Sequence, residues 1–327
     1  MLMRKLWCLV FLTVLLISAL PSASSCPNVF AITYPDEMPS IDIPAADYIM
    51  ENFFEENYFT HINNTNIVLS SDQFLGVIAM LRLYNTTGNT SYLSYAENVW
   101  NYSEQFYDSG YKHSADDSEK YTLDNSYALL ANLELYRVTN DSKYLHRSED
   151  VSTMIISMRS NSFFKTSSDN DSIDIKTQAI SSFALLETGN ISCRDTALFE
   201  LNATIDEYLD DGYNQSGRYY AIDNAMMTFA TAEAYEIIKD NSFKDVSEKT
   251  TGFLYNMSIT FYGTFVGVAP FVEKNETGFF TPDYNTTMLD QIWSYIALMK
   301  TADISDNNSY KEKALMVFDA MLLFWDF

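Results

Sequence analysis

The stretch TLDNSYALLANLELYRVTNDSKYL, residues 122–145, reads as one helix, a polar turn and the start of a second helix. Weaker copies are SSDQFLGVIAMLRLYNTTGNTSYL (70–93), SIDIKTQAISSFALLETGNISC (172–193), AIDNAMMTFATAEAYEIIKDNSF (221–243) and MLDQIWSYIALMKTADISDNNSY (288–310). Each copy sets an aspartate at the mouth of an apolar helix: Asp72, Asp124, Asp174, Asp223 and Asp290, in steps of 52, 50, 49 and 67 residues. A period near 50 disfavours a tetratricopeptide solenoid, whose repeat is about 34 residues.

Two kinds of helix alternate. Residues 123–138 are apolar or aromatic nearly all round, broken beyond Asp124 itself by Asn125, Ser126, Asn132, Glu134 and Arg137. Such a helix is buried on more than one side, so it is an inner helix, and the five repeats supply five. The helices between them carry a single apolar stripe, for example Val151, Met154, Ile155 and Met158, or Phe243, Val246, Phe253, Leu254 and Met257. One stripe means one wet face, hence an outer helix. Residues 45–57, with Ala45, Ala46, Ile49, Met50, Phe53 and Phe54 on one face, are expected to form a sixth outer helix. The expectation is an all-α chain: an (α/α) toroid of five inner and six outer helices, an incomplete or irregularly closed (α/α)6 barrel, in one domain over residues 43–327. Short inner-to-outer turns at 85–89, 139–142 and 188–192 make hairpins, and the return connections are longer, at 58–69, 107–121, 160–173, 210–221 and 261–287.

The phrase LDNSYALLANLELYRVTNDSKYL, echoed in AMLRLYNTTGNTSYL, resembles the inner-turn-outer unit of the six-hairpin toroid superfamily. That superfamily includes many glycoside hydrolases, some polysaccharide lyases and the N-acylglucosamine 2-epimerases. The resemblance spans residues 43–327 and implies a pocket on the side of the long connections, at the N-terminal mouths of the inner helices.

The first 25 residues hold basic Arg4 and Lys5, an apolar run over 6–20 and small residues at 23–25, which is the pattern of a secretory signal. The mature chain then starts near Cys26, with a proline-bearing extended lead-in over 26–42. Ala23-Ser24-Ser25-Cys26 loosely matches a lipoprotein cleavage box, so a lipid anchor at Cys26 is an alternative to simple secretion. Either route puts the protein outside the cell or at its surface, with no later segment apolar for the ~18 residues that a stable membrane span needs.

The net charge of −24 becomes −26 when the two basic residues of the signal are removed. Nucleic acid is thereby excluded as a partner, since binding it needs a basic footprint. Cys26 and Cys193 remain as a pair that an oxidising compartment would allow to join. With those two and only His61, His113 and His146, a thiolate zinc site is excluded, and neither a metal nor a cofactor is expected. Thirteen Asn-x-Ser/Thr triplets occur where 25 Asn and 59 Ser/Thr among 327 residues give about 4 or 5 by chance. The excess points to an N-glycosylated exported chain. Asn, Ser and Thr also gather in turns for their own reasons, which accounts for part of it.

Two carboxylates facing one cavity supply acid and base, or acid and nucleophile, for cleaving a glycosidic bond. Asp124 and Asp223, in the matching contexts LDN and IDN, are the first candidates, followed by Asp72 and Asp290. Against this, an aspartate at a helix mouth commonly accepts backbone N–H bonds there, and a cap is needed once per helix. Tyr121, Tyr219, Tyr220 and Trp293 offer faces on which sugar rings pack. His113, with His61 in the preceding connection, offers a proton shuttle near neutral pH. The acidic run at 116–119 reads as a solvated loop. Two functions compete: a secreted glycan-active enzyme, most plausibly a glycoside hydrolase with two carboxylates, and a non-catalytic exported toroid that binds carbohydrate or protein. Acceptors Asn63, Asn170, Asn214, Asn275 and Asn285 lie on the long-connection side, where glycans would crowd a cleft.

Overall fold

The computed structural model describes residues 49–61, 67–261, 264–275, 278–280, 287–305 and 307–325. The expected signal, the lead-in and Cys26 lie outside them. Among the described residues, ten α-helices alternate as inner and outer members of five hairpins. The inner helices are α1 (Ser70–Thr87), α3 (Thr122–Thr139), α5 (Ile175–Glu187), α7 (Ala221–Ile238) and α9 (Met288–Ile304). The outer helices are α2 (Thr90–Ser103), α4 (Ser142–Ser157), α6 (Ile191–Tyr208), α8 (Asn241–Asn256) and α10 (Asn308–Trp325).

The alternation follows from the side chains. Helix α3 is buried without a break from Asp124 to Leu135, and α7 from Asp223 to Ala234. Helix α4 buries only Tyr144, Ser148, Val151, Ser152, Met154 and Ile155, a stripe at helical spacing. The turns between them share one chemistry. Inner helices α1, α3 and α7 end on left-handed residues, Gly88, Asn140 and Lys239, whose N–H groups bond the carbonyls of Tyr84, Tyr136 and Tyr235. That bond satisfies a carbonyl which the helix end would otherwise leave open. The outer helices then start on Asn89, Asp141 and Asp240, whose side chains accept the N–H groups of Ser91, Lys143 and Ser242.

The chain divides into two compact units. In the first, residues 1–160, 164–172 and 187–193, α1 packs on its partner α2 and on α3, which packs on α4. At the end of these inner helices far from the aspartates, fully buried Arg82 meets Glu134 at 2.9 Å, and Arg137 reaches Glu134 at 2.8 Å and Glu187 at 2.9 Å. In the second unit, residues 161–163, 173–186 and 194–327, α7 packs on α8 and α9, and α9 on α10. Buried Lys300 of α9 lies 2.8 Å from Glu233 and 2.7 Å from Glu236 of α7. Burial works against its charge, but the two carboxylates hold its pKa above the ordinary lysine value.

The helix expected over 45–57 departs from that reading. Its described part is helical only over 49–52, and strands β1 (Phe54–Glu55) and β2 (Tyr58–Phe59) follow as an antiparallel hairpin turning through Glu56 at φ 24°. Phe53 and Phe59 are both buried, and the Phe59 backbone is claimed by a side chain of α1, so a continued helix would forfeit that pairing. The long connections also hold more regular structure than a loop reading allows. The one before α7 ends in β3 (Arg218–Tyr220); the one before α9 contains β4 (Ser258–Phe261) paired with β5 (Thr264–Val268), and β6 (Phe271–Asn275), which lies between β7 (Gly278–Phe280) and β3.

Candidate functional site at the inner-helix mouths

Four of the five mouths are fastened in the same way by the residue that follows the aspartate. Its side-chain amide accepts from the N–H and donates to the carbonyl of one loop residue. Gln73 binds Phe59 at 2.8 and 2.7 Å, and Asn125 binds Tyr111 at 2.8 and 2.9 Å. Asn224 binds Tyr213 at 2.7 and 3.0 Å, and Gln291 binds Val268 at 2.8 Å in both directions. Backbone groups buried in a loop need such partners, and a primary amide supplies donor and acceptor together. In three of the four the preceding loop residue is a glycine, and space is short there: a Cβ on Gly212 would lie 2.4 Å from the Phe253 ring and 2.7 Å from the Asn224 amide oxygen, and one on Gly267 2.9 Å from that of Gln291.

In the first unit the loops so fastened carry histidines to the aspartates. His61 Nδ1 lies 2.7 Å from Asp72 Oδ2, and His113 Nδ1 lies 2.6 Å from Asp124 Oδ2. Each histidine stands 11 residues before its aspartate. Ser70 Oγ donates to the same Asp124 oxygen at 3.3 Å, and the Ser70 N–H bonds the His113 carbonyl at 2.9 Å. The two pairs are electrostatically linked: the charge of Asp72 is felt at Asp124, and that of His113 at His61. The hydrogen bond to its aspartate, opposed by burial, raises each histidine above its ordinary pKa. Burial raises Asp124 as well, against the pull of His113.

The aspartates fall into two sets. Asp174 is a cap, its Oδ1 accepting from the Thr177 N–H at 2.8 Å, and Asp290 forms a capping box with Thr287. Asp72, Asp124 and Asp223 are not caps, since their helices start on Leu69, Tyr121 and Tyr220 with no side-chain cap bond. Catalytic candidates Asp223 and Asp290 both belong to the second unit. Asp223 is buried and has no hydrogen-bond donor among the described residues; Lys176, Asp174 and Asp290 act on it through their charges. Burial pushes its pKa from 3.8 to about 7, and that of Asp290 to about 6.

A pH prediction follows for Asp223. Its folded-state pKa is above its unfolded value, so between pH 3.8 and about 7 the folded state binds more protons, and stability falls as pH rises through that window. Asp223→Asn removes this penalty. The variant is expected to match the parent at pH 4 and to exceed it at pH 8 by up to about 4 kcal/mol, read from thermal unfolding at both pH values. An equal gap at both would refute the assignment.

The aromatic candidates differ in placement. Tyr121 is half-buried, its ring centroid 4.6 Å from that of His113. Tyr220 is also half-buried, against Phe271. Tyr219 is buried, its hydroxyl donating to Asp210 at 2.7 Å, so its ring anchors the connection. Trp293 is buried in the core beside Phe229, at 6.1 Å between centroids. Cys193 is buried. No group of three or more His, Cys, Asp or Glu that could hold a metal occurs among the described residues.

Residues 60–188 match the sequence model of glycosyl hydrolase family 76. That segment holds His61, Asp72, His113 and Asp124. A search of curated proteins finds no match. Among solved structures, cellobiose 2-epimerase from Bacillus thermoamylovorans is similar with a TM-score of 0.72 at 11% identity, over 83% of this chain and 82% of that one. A family 76 alpha-mannanase of Bacteroides thetaiotaomicron gives 0.68 at 12% identity, over 93% and 87%. An alpha-1,6-mannanase of the same family from Salegentibacter gives 0.68 at 16% identity, over 92% and 89%. The fold is therefore that of the six-hairpin (α/α) toroid superfamily. Among the described residues, no helix is long and apolar enough to cross a membrane.

Proposed function

We infer that this chain is a glycan-active enzyme that hydrolyses glycosidic bonds, with Asp124 as its central carboxylate and a carbohydrate as its substrate. One observation carries the reading: a buried, non-capping aspartate held by His113 and Ser70 at an inner-helix mouth, inside the segment that matches a glycosyl hydrolase family. A carboxyl whose pKa is raised by burial suits the general acid that protonates the leaving-group oxygen. The second carboxylate activates water or attacks the anomeric carbon. Asp72 fills that role from the same unit. Tyr121, beside His113, gives a sugar ring an apolar face. This chemistry draws on side chains alone. The signal expected over residues 1–25 would place the enzyme outside the cell, where polymeric glycans are accessible, and mannan is the first polymer to try because the similar structures include mannanases.

The two histidine–aspartate pairs favour a second reading. Two imidazoles at neighbouring inner-helix mouths can remove and return a proton beside the carbonyl of an open-chain sugar, as a sugar epimerase must. One experiment separates the two. The purified mature chain is incubated with a glycan panel that includes α-linked mannan, and with reducing disaccharides in heavy water. New reducing ends support hydrolysis; deuterium at the carbon beside the carbonyl, without cleavage, supports epimerisation. Neither product from a folded chain that binds glycan would leave a binding module and refute both.

A further inference from the structure

The aspartate mouths leave unused the most repeated motif of the sequence, the Asn-x-Ser/Thr triplet. Of the thirteen acceptors, Asn63 and Asn285 lie outside the described residues, as does the Asn275 side chain. Of the other ten, nine are exposed and Asn214 is half-buried. Four share one local geometry. The side-chain oxygens of Asn89, Asn170, Asn190 and Asn307 accept the N–H of the serine two residues on, Ser91, Ser172, Ser192 and Ser309, at 3.0, 2.9, 2.8 and 3.1 Å. That serine is the third residue of the same triplet. The amide nitrogen makes no hydrogen bond among the described residues at any of the four, so it is available while the oxygen holds the turn. At Asn214 both amide atoms are engaged, the oxygen by the Gly217 N–H at 2.8 Å and the nitrogen by the Tyr219 hydroxyl at 3.4 Å.

The starts of the outer helices sharpen the contrast. The capping position is filled by Asn89, Asp141, Asn190, Asp240 and Asn307 in the five repeats. A cap needs only a side-chain oxygen, which aspartate supplies as well as asparagine. Wherever asparagine fills the position, serine stands two residues on and completes the triplet. These turns lie at the end of each inner helix opposite its aspartate. Asn170 alone of the four lies in a mouth-side connection.

We propose that Asn89, Asn170, Asn190 and Asn307 carry N-linked glycans and that Asn214 does not. In the transfer, the asparagine Nδ2 attacks the anomeric carbon of an oligosaccharide linked to a polyprenyl phosphate or diphosphate. The N–C1 bond forms and the C1–O bond to phosphate breaks. The lipid phosphate leaves with the electron pair, and Nδ2 gives up one proton. The oxygen stays in place, so a glycosylated asparagine still caps its helix. Three of the four glycans then sit at the turn ends, away from the mouths, and only that of Asn170 lies on the mouth side.

The test uses the full chain purified from the organism that makes it, digested and sequenced by glycopeptide mass spectrometry. The expected result is glycan on the peptides of Asn89, Asn170, Asn190 and Asn307, at occupancy at least tenfold above that of Asn214. Ser91→Ala, which destroys the triplet but keeps Asn89 and its cap, should lose the glycan at that site alone with an unchanged circular dichroism spectrum. Bare peptides at all four sites, occupancy of Asn214 equal to theirs, or a glycan persisting on Asn89 in Ser91→Ala would each overturn the proposal.

Discussion

Replacing Asp124 by asparagine is expected to lower glycosidic turnover by about a thousandfold or more while the protein stays folded, the scale of losing a positioned acid or base. The amide keeps the size of the carboxyl and can still accept from Ser70 and His113, so packing is little disturbed. It cannot hold or give the proton that the Asp124–His113 contact shares at 2.6 Å. A spectroscopic signature accompanies the loss: His113, without its aspartate, should titrate lower than in the parent, because that hydrogen bond is the largest cause of its raised pKa. Asp174→Asn is the control, since Asp174 serves as a cap and asparagine caps about as well. Turnover in Asp124→Asn within threefold of the parent would remove Asp124 from the reaction.

Lys300→Met is expected to destabilise the second unit by about 3 to 5 kcal/mol, the cost of breaking a buried ion pair by removing one partner. Methionine fills most of the lysine volume, so the loss is electrostatic. Glu233, 2% exposed, would feel the charges of Glu236 and Asp303 without that of Lys300. Protonating Glu233 relieves that repulsion, so the cost should shrink as pH falls. The double change Lys300→Met with Glu233→Met should recover most of the loss, because an apolar pair of similar volume replaces the ions. Urea unfolding of the three variants measures the cycle. A cost below about 1 kcal/mol in the single variant would show that water reaches the cluster.

The division into inner and outer helices was legible because burial on all sides and burial on one stripe leave different periodicities, and α3 and α4 show both. The aspartates were legible as a repeat, but their roles were not, since capping depends on backbone geometry at the helix start. Asp174 and Asp290 cap, whereas Asp72, Asp124 and Asp223 sit in the same sequence position and do not. Two signals were present and unread. The aspartate is followed by an amide residue in four repeats, and His61 and His113 stand at one spacing from their partners. Both concern loops, where no periodicity says which residue is reached. Helix one ran past its true end for the same reason, because the demand on Phe59 comes from Gln73, 14 residues away. Tyr219 and Trp293 looked like cleft lining because an aromatic ring in the core and one facing a cavity have the same composition.

The paired amide bonds at the mouths have a consequence for how this protein can change. Each ties one loop residue to the neighbour of an aspartate, so carboxylate and loop share a rivet, and the segment between rivet and helix is left without a fixed length. That segment runs from Tyr111 to Asn125 in one repeat, from Tyr213 to Asn224 in another and from Val268 to Gln291 in a third. The span grows from 11 to 23 residues while the two bonds stay the same. Loops of this kind are interchangeable parts. A graft between Tyr111 and α3 that keeps His113 and Tyr121 should alter which glycan is admitted without moving Asp124.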